Sequence, residues 1–353
     1  AAQEQDYEEF GKEDVSKMDA VSVKAALLKS GMFAFIKQRP YDIVADPTVA
    51  PRAIFVSAFD TNPLAPDFEL ALKGEEANFQ TGLDALAKIA KTYLSISVNQ
   101  KAAALTQAKN VTLTVFDGPH PAGNVGVQIN NIAPINKGET VWTIDPQAVI
   151  FIGRLFNTGH VDLTRLVAVT GSEVKKPSYC KLKVGALLTN VFAGNVSTDK
   201  NLRYISGNVL TGKQITANGF LGAFHSQVTV IPEGDDVHEM LGWIMPRFDQ
   251  FSTSHSYFSW LMGKKEYTLD ARVKGGERHM IMSNEYDRVL PMDIMPEYLI
   301  KAIIAGDIDR MEALGIYEVA PEDFALCEFV CSSKMELQRI VREGLDMLRR
   351  EMC

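Results

Sequence analysis

The apolar and polar positions in the first third of the chain alternate between helical and strand patterns. Residues 19–30 carry apolar side chains at helical spacing and stop at Gly31, which is typical of helix C-termini. Residues 53–59 (AIFVSAF) are almost wholly apolar, as in a strand buried on both faces. The pattern then predicts a helix over 75–91, a strand over 92–98, a short helix over 100–108 and a strand over 111–116. This alternation predicts a parallel sheet with covering helices, a Rossmann-like layer.

The middle of the chain changes pattern. Asp145 and Pro146 predict the start of a helix that runs to about Phe156, because Asp favours the cap and Pro the first turn. From 163 to 231, short β-like runs are broken by Gly, Asn and Lys, with a helical stretch over 184–191. This region therefore predicts a small mixed β domain.

The chain beyond Pro291 is predicted to be helical. Asp307 and Gly315 bracket one short helix, and Ser333-x-x-Glu336 predicts a capping box that opens a last helix. The apolar stripe of that last helix consists of Leu337, Ile340, Val341, Leu345 and Leu348.

We therefore predict an α+β multidomain protein. Its regions are a Rossmann-like α/β domain over 1–160, a small β domain over 161–235, a connecting region over 236–290 and a C-terminal helical domain over 291–353.

Composition narrows the function. Lys and Arg number 36 against 44 Asp and Glu, a net charge of −8 that argues against nucleic acid as a partner. No apolar run approaches the ~20 residues of a membrane span, and the opening AAQEQDYEEF does not have the pattern of a signal peptide. The 4 cysteines are too few for a disulfide framework. We expect a reduced, water-soluble protein that faces the cytoplasm.

A Rossmann-like layer raises the question of a dinucleotide. The Gly-x-Gly-x-x-Gly fingerprint is absent, because no glycine of the sequence is followed by another two positions later. After the first helix the chain instead reads Met32-Phe33-Ala34-Phe35. These side chains would fill the space that glycines leave open for phosphates, so we expect a packed loop.

Residues 207–214 (GNVLTGKQ) nearly match a phosphate-binding P-loop. Gln214 stands where Ser or Thr would hold magnesium, and the flanking residues are β-like and do not lead into a long helix. The alternatives are a P-loop and a β-turn that carries Gly and Lys, and we favour the turn.

Cys327 and Cys331 could belong to an iron–sulfur ligand set, but such a cluster needs four thiolates, and Cys180 and Cys353 are isolated in sequence. We favour buried, reduced structural thiols in a helix. No metal site is predicted either, because zinc-enzyme spacing is absent among His120, His160, His225, His238, His255 and His279.

A Ser-rich stretch over 246–263 holds a cluster of aromatic residues without a period: Phe248, Phe251, Tyr257, Phe258 and Trp260. Two interpretations stay open. The rings either fold back onto the neighbouring domains, or they dock onto a membrane subunit or the bilayer surface, with Lys264 and Lys265 near anionic headgroups.

Several long motifs resemble one family. They are LKSG at 28–31, FVSAFDTNPLA at 55–65, DGPHPAGNVG at 117–126, VWTIDPQ at 141–147, ISGNVLTG at 205–212 and FALCEFVC at 324–331. In these motifs the chain resembles the NqrA family, which belongs to the bacterial Na⁺-translocating NADH:quinone oxidoreductases.

The resemblance implies a fold shared with RnfC and with the flavin subunit of respiratory complex I. Those relatives have a Rossmann-like flavin domain, a β-grasp domain of the SLBB type and a helical bundle that holds a cluster. Here the flavin loop is the bulky 32–35 segment and only Cys327 and Cys331 remain of the cluster ligands. The family also begins with a biotinyl/lipoyl-type domain, which implies an N-terminally truncated chain with Ala1-Ala2 as a tag remnant.

The resemblance further implies a peripheral subunit on the cytoplasmic side of the bacterial inner membrane. It would have no catalytic residues and no tightly bound cofactor, a structural role, and quinone as a ligand. Flavins, a 2Fe-2S cluster and Na⁺ would belong to other subunits, above all a multi-span membrane partner. The alternatives are an RnfC-like electron-transfer subunit that binds FMN and NADH, and a soluble β-grasp ligand-binding module.

Overall fold

The computed structural model describes residues 8–235, 244–253, 255–263 and 265–352. Five residues singled out in the sequence lie outside the described residues: Ala1, Ala2, His238, Lys264 and Cys353.

The first sheet has six strands, which are β1 (Ile36–Arg39), β2 (Ile43–Val44), β3 (Ile54–Ser57), β4 (Thr92–Ser97), β5 (Thr112–Phe116) and β6 (Val141–Ile144). They lie in the order β2-β1-β6-β3-β4-β5. The four strands from β6 to β5 are parallel, as predicted, but β1 runs antiparallel to both β6 and β2. The sheet is therefore mixed. The polar sequence of β1, Ile36-Lys37-Gln38-Arg39, conceals a strand whose Gln38 and Arg39 are buried by tertiary contacts.

The helices of this part are α1 (Ala20–Lys29), α2 (Phe68–Leu72), α3 (Glu76–Ile89), α4 (Ala103–Thr106), α5 (Val125–Ile132) and α6 (Pro146–Thr158). Both predicted caps form, since the Asp19 carboxylate accepts from the Ser22 N–H at 2.8 Å and that of Asp145 from the Gln147 N–H at 2.8 Å. The α5 helix was not predicted from the sequence. α3 and α6 approach so closely that a Cβ on Gly153 would lie 1.7 Å from the Asn78 carbonyl oxygen.

The segment predicted to be a packed loop forms a 3-10 helix, Met32–Phe35. Met32, Phe33 and Phe35 are buried, and the Phe33 ring meets the Trp142 indole edge-on at 5.3 Å between centroids. The prediction that bulky side chains fill this position is confirmed.

The second sheet has five strands, which are β7 (Thr164–Thr170), β8 (Ser178–Lys183), β9 (Leu202–Ser206), β10 (Lys213–Ile215) and β11 (Gln227–Pro232). Their order is β10-β9-β11-β7-β8, with β7 and β11 parallel and the other pairs antiparallel. The predicted helix over 184–191 is wrong in extent, because only α7 (Thr189–Phe192) is helical and Leu187 bridges to Phe220.

The P-loop-like segment is the turn between β9 and β10, as we favoured. The Asn208 side-chain oxygen accepts from the Leu210 and Thr211 N–H groups at 2.8 and 2.9 Å. This Asx-type turn satisfies the backbone locally.

The C-terminal helices are α8 (Pro296–Ala305), α9 (Ile308–Ala313), α10 (Ala325–Val330) and α11 (Leu337–Met352). Asp307 caps α9, and the predicted apolar stripe of α11 is buried. The predicted capping box is wrong, because the Ser333 hydroxyl donates to the His279 carbonyl, Glu336 pairs with Arg339, and α11 begins only at Leu337.

These helices cover one face of the first sheet, where Phe55 and Val141 join their core, while α1, α3 and α6 cover the other face. The predicted α+β multidomain fold is confirmed, whereas the boundaries at 160, 235 and 290 stay predictions.

A buried ion pair joins the first sheet to the C-terminal helices. Arg39, at the end of β1, is 1% exposed and donates to Asp323 Oδ2 at 2.7 Å, to Glu322 Oε1 at 2.8 Å and to the Glu318 carbonyl at 3.1 Å. Gly126 lies against this cluster, where a Cβ would come within 2.4 Å of the Asp323 carboxylate. Breaking such a pair leaves an uncompensated buried charge.

Asp323→Asn should therefore lower the free energy of unfolding by about 3 kcal/mol, as expected when one partner of a buried ion pair is removed. The matched control is Glu343→Gln, which breaks the exposed pair with Arg339 and should cost less than about 0.5 kcal/mol. Urea denaturation midpoints measure both changes. Equal losses in the two variants would contradict the role of Arg39.

Candidate functional site

A cleft of about 220 Å³ lies at the carboxyl ends of β3 and β6. These strands are parallel neighbours, and β4 and β5 extend the sheet from β3 in the direction opposite to β6. The connections on either side of this point leave the sheet in opposite directions, which opens the crevice where open α/β sheets bind ligands. Phe224 and Ser226 from the second sheet and Glu322 from the helical part complete the lining.

The Ser57 hydroxyl fixes the floor of the cleft. It lies 3.0 Å from the carbonyl oxygens of Phe59 and Gly123 and accepts from Gln128 Nε2 at 2.8 Å. Gly123 leaves no room for a side chain, because a Cβ there would lie 2.7 Å from the Thr61 nitrogen. The end of β3 and the loop before α5 are therefore held close together.

The lining of the cleft is acidic. Lys37 is the cationic side chain in it, with Nζ 3.3 Å from Asp42 Oδ1. Two of the carboxylates cap helices, those of Asp67 at α2 and Asp145 at α6. The carboxylate-bearing lining residues are Asp42, Asp60, Asp67, Asp145 and Glu322.

Aromatic rings line the other side of the cleft. Phe224 meets Phe35 edge-on at 6.1 Å, and Lys37 Nζ lies 5.0 Å from the centre of the Phe224 ring. The next residue, His225, is held by the Ser206 hydroxyl at 2.8 Å from Nδ1. Burial and the nearby charges of Arg165 and Lys37 lower the pKa of His225 to about 4, so it is neutral at pH 7 and Ser206 donates to it. This contact fixes the turn that carries Phe224.

The aromatic cluster predicted as a contact surface lies on a separate part of the molecule, and none of its members lines the cleft. Four of its five rings are 41–53% exposed, and Tyr257 is half-buried under Arg247 at 5.3 Å. A 3-10 helix, Phe258–Met262, carries two of them. Phe251 also packs against Phe329 of α10 at 6.1 Å, so the exposed surface continues onto the helical part.

Cys327 and Cys331 are free and buried, as favoured from the sequence, although Cys331 lies one residue beyond the end of α10. The Cys331 sulfur lies 2.9 Å from the Tyr286 hydroxyl. In the described part of the chain, no group of three or more His, Cys, Asp or Glu side chains is arranged to hold a metal ion. Nor is any helix among the described residues long and apolar enough to cross a membrane.

Two family models match this chain. The second α/β domain of NqrA matches residues 18–161, and the NQRA C-terminal domain matches residues 166–217. The chain is 36% identical over 348 residues to the NqrA protein of the Na(+)-translocating NADH-quinone reductase from Yersinia pestis bv. Antiqua (strain Angola), covering 98% of this chain and 77% of that protein. The corresponding protein from Neisseria meningitidis serogroup C gives the same identity and the same coverage.

The chain belongs to the NqrA family. Among solved structures, NAD⁺-reducing [NiFe]-hydrogenase in the air-oxidized state matches 95% of this chain and 64% of its own chain, at 12% identity and a TM-score of 0.44. A TM-score this low does not establish a shared fold.

The cleft of this NqrA-family chain was not predicted from the sequence. Its residues come from positions far apart in the chain, such as Lys37, Asn124, Phe224 and Glu322, and each has an ordinary neighbourhood in the sequence. One signal was available, because the 55–65 and 117–126 motifs that carry the NqrA resemblance both border the cleft.

Proposed function

We propose that this chain is a peripheral subunit of a Na⁺-translocating NADH:quinone reductase, on the cytoplasmic side of the bacterial inner membrane. The support is its 36% identity, over 98% of the chain, to proteins whose names place them in that enzyme. In this proposal the chain organises the complex and binds quinone, while flavins, the 2Fe-2S cluster and Na⁺ are held by other subunits.

The cleft is poorly suited to flavin mononucleotide. Its lining offers one lysine against five carboxylates, so a phosphate dianion would meet strong repulsion. The 32–35 segment packs its bulky side chains into the core and offers no glycine-rich cradle. Both features favour a chain without a flavin of its own.

The same lining suits a neutral quinone ring. The rings of Phe224 and Phe35 provide an aromatic surface, and the Lys37 ammonium is able to donate a hydrogen bond to a quinone carbonyl. Ligand sites commonly combine an apolar wall with a few polar groups in this way. Because a quinone has no charge, the acidic side chains do not repel it.

Phe224→Ala should raise the dissociation constant for a water-soluble, short-chain quinone by about five- to tenfold, through loss of the ring contact. Phe224 is 40% exposed, so its loss should leave the fold intact. The matched control is Phe220→Ala, a 62% exposed ring in the same part of the chain that does not line the cleft.

Calorimetric titration of the purified chain measures this binding, and circular dichroism checks the fold of both variants. The proposal is wrong if the unmodified chain binds no quinone, or if the two variants bind it equally well.

We further propose that the exposed aromatic cluster contacts another protein subunit of the complex. Aromatic residues with polar neighbours are typical of protein interfaces, and here Ser and Thr separate the rings. Charges of both signs flank them, including Asp249, Lys265 and Glu266, a mixture that suits a protein surface better than an anionic bilayer.

The triple change of Phe251, Phe258 and Trp260 to Ser should leave the chain folded but weaken its retention on membranes that contain the other subunits. The control changes Val21, Val98 and Val115 to Ser, three exposed apolar residues on the α/β part. Sedimentation with membranes measures retention, and thermal unfolding measures stability. A large loss of stability in the aromatic variant would instead support rings that fold back onto the domains, and retention on lipid vesicles alone would indicate a bilayer contact.

A further inference from the structure

A second cavity, of about 140 Å³, lies between the α/β part and the second sheet. It is bordered by one side of α6, by the start of β7 and by β8. Since α6 leads directly into β7, the cavity lies where the two parts of the chain are joined. It shares only Gln147 with the lining of the cleft described above.

The cavity is lined by a buried guanidinium without hydrogen-bond acceptors. The side chain of Arg165 is fully buried, and its Nε, Nη1 and Nη2 have no hydrogen-bond partner among the described residues. The Asp145 carboxylate lies 3.7 Å from Nη2, but its Oδ1 already accepts from two backbone N–H groups at the start of α6. The guanidinium also lies 5.4 Å from the centre of the Phe151 ring. Buried donors without acceptors cost a folded protein free energy, so this site has an unmet need for an acceptor.

The side chains around the cavity have an excess of positive charge. Its lining contains four cationic side chains and two carboxylates. Both carboxylates are engaged by Arg154, which lies 2.7 Å from Glu75 and 3.4 Å from Asp162. The charges of Lys73, Lys181 and Arg165 remain, and Asp145 stands opposite Arg165.

We propose that this cavity binds a small oxyanion of the phosphate type, with Arg165 as its principal hydrogen-bond donor and Lys73 and Lys181 as charge partners. A guanidinium matches the geometry of phosphate oxygens, and an anion compensates its buried charge where water would only solvate it. The cavity volume accommodates a single phosphate group and excludes a nucleotide. Because α6 and β7 both border the site, the bound anion stabilises the junction between the two parts of the chain.

The test is thermal unfolding of the full chain in rising inorganic phosphate, with chloride replacing phosphate at constant ionic strength. A specific site raises the melting temperature along a saturable curve, as expected for a ligand that binds the native state. Phosphate also stabilises proteins generally by exclusion from their surfaces, and that effect does not saturate.

Arg165→Met should abolish the saturable rise, and Lys181→Gln, an exposed position, should shift its midpoint to about tenfold higher phosphate without loss of the fold. The matched control is Arg339→Met, which removes an exposed arginine and should respond like the unmodified chain. Lys181→Gln keeps the proposal testable if Arg165→Met does not fold.

Sulfate and acetate serve as further probes. A saturable response to phosphate and sulfate supports the oxyanion site, whereas a response to acetate alone would overturn the phosphate class in favour of a carboxylate. The proposal is also overturned if the unmodified chain shows no saturable response, or if Lys181→Gln and Arg165→Met respond as the control does. None of these outcomes depends on quinone binding.

Discussion

The buried Arg39 guanidinium is the contact on which the arrangement of this molecule depends. It ends a strand of the first sheet, yet its partners Asp323 and Glu322 belong to the helical part. An arginine that is 1% exposed must have its charge compensated, so the helices can cover the sheet in only a few positions. Glu322 also lines the cleft, and the same ion pair therefore helps to define the candidate site.

The local signals in the sequence were reliable where the physics is local. The caps at Asp19 and Asp145 and the buried strand β3 follow from side-chain chemistry within a few residues. The polar strand β1 could not be predicted, because its burial depends on Asp323, more than 280 positions away. The Ser333 capping box failed for the same reason, since a distant carbonyl, that of His279, takes the hydroxyl.

The cleft was harder to predict than the fold. The sequence indicated the loss of a glycine-rich phosphate loop, and the structure shows what stands there: a 3-10 helix packed into the core. It did not indicate that Lys37, Phe224 and Glu322 would meet, because three separately folded segments bring them together. The NqrA family membership and the acidic, aromatic lining lead to one account, in which an α/β scaffold keeps its ligand crevice but not the features that hold a flavin.

The flavin content of the purified chain tests this account most directly. The chain is incubated with excess FMN, passed through a desalting column, and its visible absorbance is compared with its protein concentration. The account predicts a colourless protein with no retained flavin. Stoichiometric FMN that survives desalting would contradict it and would support an RnfC-like electron-transfer role.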